Sequence, residues 1–429
     1  MIHTLRYTTV FLIMFVALCS CSKTNKPKSA GTYVDVDLSE NRSVGGNEDS
    51  DSSSISIPRA SSNSSWKNSD FSLRDVPENI SVSSQISRAR AFRLYSGSGS
   101  KEINRNPVIS DGNILVLDHK NNVYCYNLGD PNKLNWKTNL KPSNNEFIGG
   151  GISANGKYAA VTYGNKDVVL LNVASGKVMW RYNLSNISRA APIIYHGSVF
   201  ALTVDNKLYS IDLDSGLLRW TQESASEQFG IIGNASPEAA EGLIITPYSS
   251  GQLGAIDSSS GDIKWNAILG TDERQAYLND ISMTPVISDH NVYLSNHSGA
   301  LFSISISDGN INWVAQGASG NNSIWIAGDH IYSINKKQQL FATNKNTGAK
   351  KWSVNLVGKD SKNAKFSGPL MVNGELYVCA SNGKLMVLSA KNGSILREIT
   401  IEKNIYSPPI VVGNVMYLLS NSGTLSVIN

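Results

Sequence analysis

The chain is poor in charge and has no excess of either sign. Charged residues fill 17% of its 429 positions and the formal net charge is +4, so the electrostatic footprint of a nucleic-acid binder is missing. Its basic residues are scattered, without the aromatic interleaving of a single-strand groove. Six His and four Cys leave little material for a multi-metal protein. His290 and His297 stand seven apart on either side of a strand, too far for the paired-ligand spacing of a zinc site, and read as solvated loop residues. No G-x-S-x-G, Walker or H-E-x-x-H motif occurs. Gly149 to Ala154 fits G-x-G-x-x-A by letter, but a dinucleotide site needs a following helix, and residues 157–164 read as strand. After residue 90 no 3.6-residue periodicity appears, which argues against helices.

What is present points to β-structure. Seventeen Tyr, eight Trp and thirty-five Gly suit pleated sheets joined by many turns, and 41% apolar residues suffice for a sizeable core. The first twenty residues carry Arg6 and then an apolar run, Val10 to Leu18, too short to span a bilayer and fitting a secretory signal. The run ends Leu18-Cys19-Ser20-Cys21, which resembles a bacterial lipoprotein lipobox. That resemblance implies a signal over 1–20, cleavage before Cys21, and lipid on the Cys21 thiol and amine. Three acyl chains, at about 0.8 kcal/mol per buried methylene, anchor far more firmly than one. Ser22 behind Cys21 resembles lipoproteins sent to the outer membrane. Residues 22–88 contain 19 Ser and too little apolar surface to offset their ordering entropy. The expectation for 21–88 is therefore a lipidated cysteine followed by a disordered tether, with a single large domain over 89–429.

That domain repeats itself. Six segments end in tryptophan: Trp136, Trp180, Trp220, Trp265, Trp313 and Trp352, at spacings of 39 to 48 residues. A seventh places Arg397 there. Gly176, Gly216, Gly261, Gly309 and Gly348 lie four residues before the indole, and Gly393 holds the same place before Arg397. A period near 40 with short strands means propeller blades. Residues 106–118, 284–296, 368–380 and 408–420 read as hairpins, with Asp-Gly, Asp-His, Asn-Gly and Gly-Asn at the turns. A third strand follows each, then a Gly turn and the strand carrying the indole. Residues 90–429 hold about eight units of about 42 residues. The last unit stops after its third strand, and the expected remedy is the segment Arg90 to Tyr95, with Phe92 in the tryptophan position, pairing into it and closing the ring. The indoles read as mortar between blades, because a ligand would need only one site. Cys125 and Cys379, 254 residues apart, fall in non-adjacent units. They are expected to be two buried free thiols, unless they form a pairing the repeat map does not foresee.

These repeats resemble the quinoprotein-like (PQQ-type) propeller pattern, and with the lipobox, the polar tether and eight units the chain resembles the BamB family of outer-membrane β-barrel assembly lipoproteins. The resemblance covers about 90–429 plus the signal. It implies an all-β, eight-bladed propeller of four-stranded antiparallel blades that acts as a non-catalytic scaffold, facing the periplasm from the outer membrane. The implied partner is the barrel-forming subunit, whose periplasmic domains dock on loops between central blades. The protein would be a monomer within a hetero-complex, with no cofactor, no metal and no nucleic acid. The family's Leu-x-Leu-Arg-Gly segment matches Phe229 to Gly233, keeping apolar residues at Phe229 and Ile231 but placing Ile232 where the family has Arg. Its Asp-x-Asp before a Thr-Pro strand matches Asp280 to Ser282, with Asp280 kept and Ser282 replacing the second carboxylate. Two other functions remain open. One is a quinone-dependent oxidoreductase, although such enzymes carry a vicinal Cys-Cys pair that this chain lacks. The other is a surface lipoprotein that binds glycans or host proteins.

Overall fold

Blade 3 shows how the sequence builds one unit. Strand Ile193–Tyr195 turns through His196 and Gly197, both at positive φ, into Ser198–Leu202. Lys207–Asp212 returns, and a turn containing Gly216 leads to the outer strand Leu218–Glu223. Val199, Phe200 and Ala201 are fully buried in succession. Such a run needs apolar cover on both faces of the sheet, and adjacent blades provide it. The outer strand alternates between exposed and half-buried positions, because only its inward face meets a neighbour.

The computed structural model describes residues 32–34, 54–82, 89–97, 105–140, 149–224, 235–249, 251–270, 280–281, 283–320, 323–358 and 361–429. Among these residues there is no α-helix, and eight antiparallel four-stranded blades follow in chain order. They occupy 108–139, 151–183, 193–223, 238–268, 286–315, 325–355 and 366–400, with blade 8 formed by 410–428 and the strand Ala89–Arg93. This last strand pairs antiparallel with Thr424–Ile428, from Ala89 opposite Ile428 to Arg93 opposite Thr424. The ring is thus closed by hydrogen bonds, as the truncated last repeat requires. Blade 4 has a fifth strand, Thr32–Val34, parallel to its outer strand Ile263–Ile268.

The tryptophans interlock the blades. A Cβ added to Gly176 would lie 2.5 Å from the Trp136 indole, and the same contact recurs for Gly216 on Trp180, Gly261 on Trp220, Gly309 on Trp265, Gly348 on Trp313 and Gly393 on Trp352. Each indole therefore lies against the glycine turn of the next blade, where a side chain would collide. Five indole N–H groups donate into that neighbour, to the carbonyls of Val173, Leu213, Ile306, Lys345 and Ala390, at 2.7 to 3.1 Å. A register shift sits beside the aromatic in every one of these outer strands, the kind of bulge that re-aims a side chain. In blade 7, Arg397 replaces the indole with a two-pronged bond to Glu375 at 2.9 and 2.7 Å and a third bond to the Tyr377 hydroxyl.

Two expectations need correction. Phe92 does not take the tryptophan position. In blade 7 the equivalent residue, Arg397, faces Val387. The matching third-strand residue in blade 8 is Val427, which faces Arg90, while Phe92 faces Leu425 two places on. Period counting through a strand that lies outside the repeat order gave a slip of one alternation. The second correction concerns the tether. Residues 54–82 are not free of structure: Trp66 and Ile80 are fully buried and Phe71 nearly so. The signal segment 1–20 and Cys21 lie outside the described residues.

Two outcomes follow from the blade contacts. Trp265→Ala removes a fully buried indole and lowers stability by about 3–5 kcal/mol. Gly309→Ala, which drives a methyl into the same indole at a positive-φ position, costs about 1–3 kcal/mol; urea midpoints by tryptophan fluorescence and circular dichroism measure both. The Arg397 bonds and charge hold the Glu375 carboxyl below its ordinary range, against the opposing effect of burial. Its folded pKa is thus below its unfolded one, so the pair stabilises above about pH 4.3 and fades as Glu375 takes up a proton. Glu375→Gln should then cost about 1 kcal/mol at pH 7 and progressively less toward pH 3 in the same assay.

Candidate functional site

Strand order divides the ring into two ends. One end carries the turns between first and second strands and the glycine turns of the interlock. The other carries the connections from each blade to the next. The segments matched to the family's partner contact, around Phe229 and Asp280, are connections of this second kind, from blade 3 to 4 and from blade 4 to 5. Phe229, Ile231, Ile232 and Ser282 lie outside the described residues. Asp280 is described and buried. Its carbonyl accepts from the His297 amide at 2.7 Å, and Ile281 bridges antiparallel to Asn296, whose side chain donates to the Leu269 carbonyl. The described ends of the two connections meet. The Ser236 amide donates to the Thr284 hydroxyl at 3.4 Å, and Ala235 and Ile281 line one cavity of about 30 Å³ with Arg189, Thr203 and Asn206. A space of that size holds about one water, so it is a packing gap between blades 3 and 4 and no ligand pocket.

Large apolar side chains are exposed at the start of several outer strands, Leu217 most of all at 69%, with Leu218, Val178 and Met179 on the same stretch of rim. They stand at the starts of the outer strands of blades 2 and 3, at the glycine-turn end and so at the opposite end of the ring from the connection that carries Phe229.

The axial side of the ring carries a segment of the chain itself. Residues 54–82 run along the channel-side strands of blades 8, 1, 2, 3 and 4 and then of 6 and 7. Asn63 bridges to Gly413, Trp66 to Ile109, Asn68 to Ser153 and Ile80 to Val372. The deepest point toward the connection end is Asp70, which accepts from the Ala191 amide at 2.7 Å and the Ser236 hydroxyl at 2.5 Å. The Ser72 hydroxyl donates to Glu238 of blade 4, and Arg74 lies 3.8 Å from the same carboxylate. Burial pushes the carboxyls of Asp70 and Glu238 up, opposed by the charges of Arg105 and Arg74 respectively. Trp66, Phe71 and Trp325 of blade 6 stack in series, with ring centroids 5.1 and 6.1 Å apart. Sequence reasoning missed this feature, although one signal was present: Trp66 and Phe71 are large aromatics within an otherwise polar stretch.

Elsewhere the reactive side chains are pinned or covered. His290 bonds Glu241 through Nδ1 at 2.7 Å, joining the turns of blades 5 and 4. Gly151–Ala154 and Tyr158–Thr162 are strands, so the glycine run at 149–151 has no helix behind it. Among the described residues no group of three or more His, Cys, Asp or Glu is arranged to hold a metal ion. Cys125 and Cys379 are free and buried, in blades 1 and 7.

Comparison with known proteins places this architecture. The family described as "Outer membrane protein assembly factor BamB" matches residues 131–354 and 341–429. An outer membrane protein assembly factor BamB of Yersinia pestis is 25% identical over 358 residues, spanning 80% of this chain and 89% of that one. Among solved structures, BamB from Moraxella catarrhalis superposes with a TM-score of 0.68 at 20% identity, over 80% of this chain and 100% of that one. A quinohemoprotein alcohol dehydrogenase from Comamonas testosteroni superposes equally well, at 0.68, with 12% identity over 86% and 81%. At these identities the two superpositions speak for the fold alone.

The cysteines allow a direct check of the packing. Burial pushes the Cys125 thiol up to about 11, against a smaller opposing effect from Asn135, and burial also raises that of Cys379. At pH 8 Cys125 should alkylate about a hundredfold more slowly than a free cysteine, and Cys379 more slowly still. Both should label fully in denaturant, as read by peptide mass spectrometry after iodoacetamide.

Proposed function

From the premise that this chain belongs to the family of outer membrane protein assembly factor BamB, we propose that it is a non-catalytic, lipid-anchored scaffold in the assembly of outer-membrane β-barrel proteins. The observation that carries this reading is the extent of the match. It runs from the outer strand of blade 1 to the strand Thr424–Ile428 of blade 8, so it covers most of the ring and not one repeat shared by many propellers. The anchor is lipid on Cys21, and the ring faces the periplasm.

The partner is the barrel-forming subunit, whose periplasmic domains dock on the connections 225–234 and 271–282. Phe229 and Ile231 supply apolar anchors, the kind of contact that carries most binding energy in an interface. Ile232 stands where the family has Arg, and Ser282 where it has a second carboxylate, so apolar burial replaces charge pairing. Asp280, itself buried, steadies the second connection from beneath. The Ser236–Thr284 contact favours the two connections acting as one surface. A rigid ring suits this role, since a surface of several separate loops binds well only if its parts are held in register. The oxidoreductase reading has less support: the chain has no vicinal cysteine pair, and its described thiols are buried in separate blades.

Affinity capture of the full-length anchored protein from envelope extracts should recover a barrel-assembly subunit. Phe229→Ala with Ile231→Ala should cut that recovery at least tenfold while leaving the thermal midpoint unchanged. Recovery of no such subunit, even after crosslinking, or exposure of the ring to protease on intact cells, would overturn the reading.

A further inference from the structure

The channel-side strand of each blade is a sheet edge, and its outward N–H and C=O groups are the chemistry by which sheets take up extended peptides. Residues 54–82 meet that chemistry point by point. On blade 8 the Gly413 amide donates to the Asn63 carbonyl at 2.7 Å, and the Asn63 side chain donates to the Val411 carbonyl at 2.8 Å. On blade 1, Trp66 and Ile109 exchange both backbone bonds, at 2.7 and 2.9 Å. On blade 2 the Ser69 amide donates to Ile152 at 2.9 Å and Ala154 donates to the Lys67 carbonyl at 2.8 Å. On blade 6 the Trp325 indole and the Gly328 amide donate to Glu78, at 2.7 and 2.8 Å. On blade 7 the Ile80 amide donates to Met371 and its carbonyl accepts from Asn373. Trp66, Phe71 and Ile80 supply the buried apolar anchors.

We propose that the channel-side edges of the blades form a peptide-binding site, that residues 54–82, a loop whose two ends pair through Ser61 and Asn79–Ser81, are its resident ligand held in cis, and that the filled site is a second closure of the ring. The first closure is at the rim, where Ala89–Arg93 pairs with Thr424–Ile428. Between these two strands lies the only place where the ring holds by hydrogen bonds instead of continuous chain. The segment spans that seam from the axis side, gripping the inner strand of blade 8 through Asn63 and that of blade 1 through Trp66. The ligand class is a Ser/Asn-rich peptide with aromatic residues five positions apart, looped through positive-φ turns at Phe71 and Asp75. The segment also ties the chain leading to Cys21 to the channel of the ring, ahead of the rim strand.

The test uses the full-length protein with a protease recognition sequence inserted between residues 82 and 89. After cleavage the N-terminal fragment should co-elute with the ring on size exclusion in native buffer. Trp66→Ala with Phe71→Ala should weaken this association at least tenfold, as read by exchange against a labelled synthetic peptide of residues 54–82. Separation of the wild-type fragment from a folded ring overturns the proposal. A second measurement needs no cleavage. In the intact protein, hydrogen exchange at the amides of Trp66, Ser69 and Ile80 should be slowed at least ~1,000-fold relative to an unstructured chain. Exchange at unstructured rates would overturn the proposal equally. In the Trp66→Ala, Phe71→Ala protein, amides of Ala89–Arg93 should exchange faster than in the wild type, whereas unchanged protection there would remove the closure role.

Discussion

Six of the ring's joints depend on one contact: an indole from the outer strand of one unit lying on a bare glycine turn of the next. A four-stranded sheet with two apolar faces is marginal alone, and its outer strand is the part farthest from the packed centre. The indole fills the space that opens between diverging sheets, and in five of the six its N–H bonds a carbonyl of the neighbour, so the contact fixes both distance and register. Glycine is required opposite, because the positive φ of the turn and the plane of the indole both forbid a side chain. Blade 7 has no indole, and Arg397 is instead locked by Glu375 and Tyr377 of the same blade. That arrangement braces the blade's own sheet and makes it sensitive to acid.

A ring of identical joints still has to close. The rim strand Ala89–Arg93 completes blade 8 as an ordinary strand would, and the segment 54–82 joins the blades again near the axis. Its composition argues against folding alone, and alone it would have no core. It is ordered because the ring supplies a ready template of unpaired backbone groups. Ser and Asn side chains serve here as short hydrogen-bonding pegs, and the Trp66–Phe71–Trp325 stack supplies the apolar burial that the polar stretch lacks.

This division of labour bears on function. The inner strands of several blades are engaged by the chain itself, and the two described thiols are buried. The connections between blades 3, 4 and 5 are the proposed docking surface, and their sequences differ from unit to unit. Scaffolding asks for such a surface on a stiff frame, and the proposed role in barrel assembly requires nothing more of this fold.

The spacing of six tryptophans, the glycines four residues ahead of them and the missing last strand determined the all-β propeller, its eight blades and its mode of closure. These are local features repeated at a fixed period, and repetition makes them readable one residue type at a time. The blade joints were legible for the same reason. Phe92 was misplaced because its strand joins the ring out of sequence, so its register is set by pairing with Thr424–Ile428 and not by any count along the chain. Asp280 could be located on a connection, but its burial under the loop depends on contacts with His297 and the blade 5 turn. Only the tertiary structure decided that 54–82 is folded, because its partners are the edges of blades 43 to 350 residues away in sequence, and a polar segment ordered by a distant template carries no periodic mark of its own.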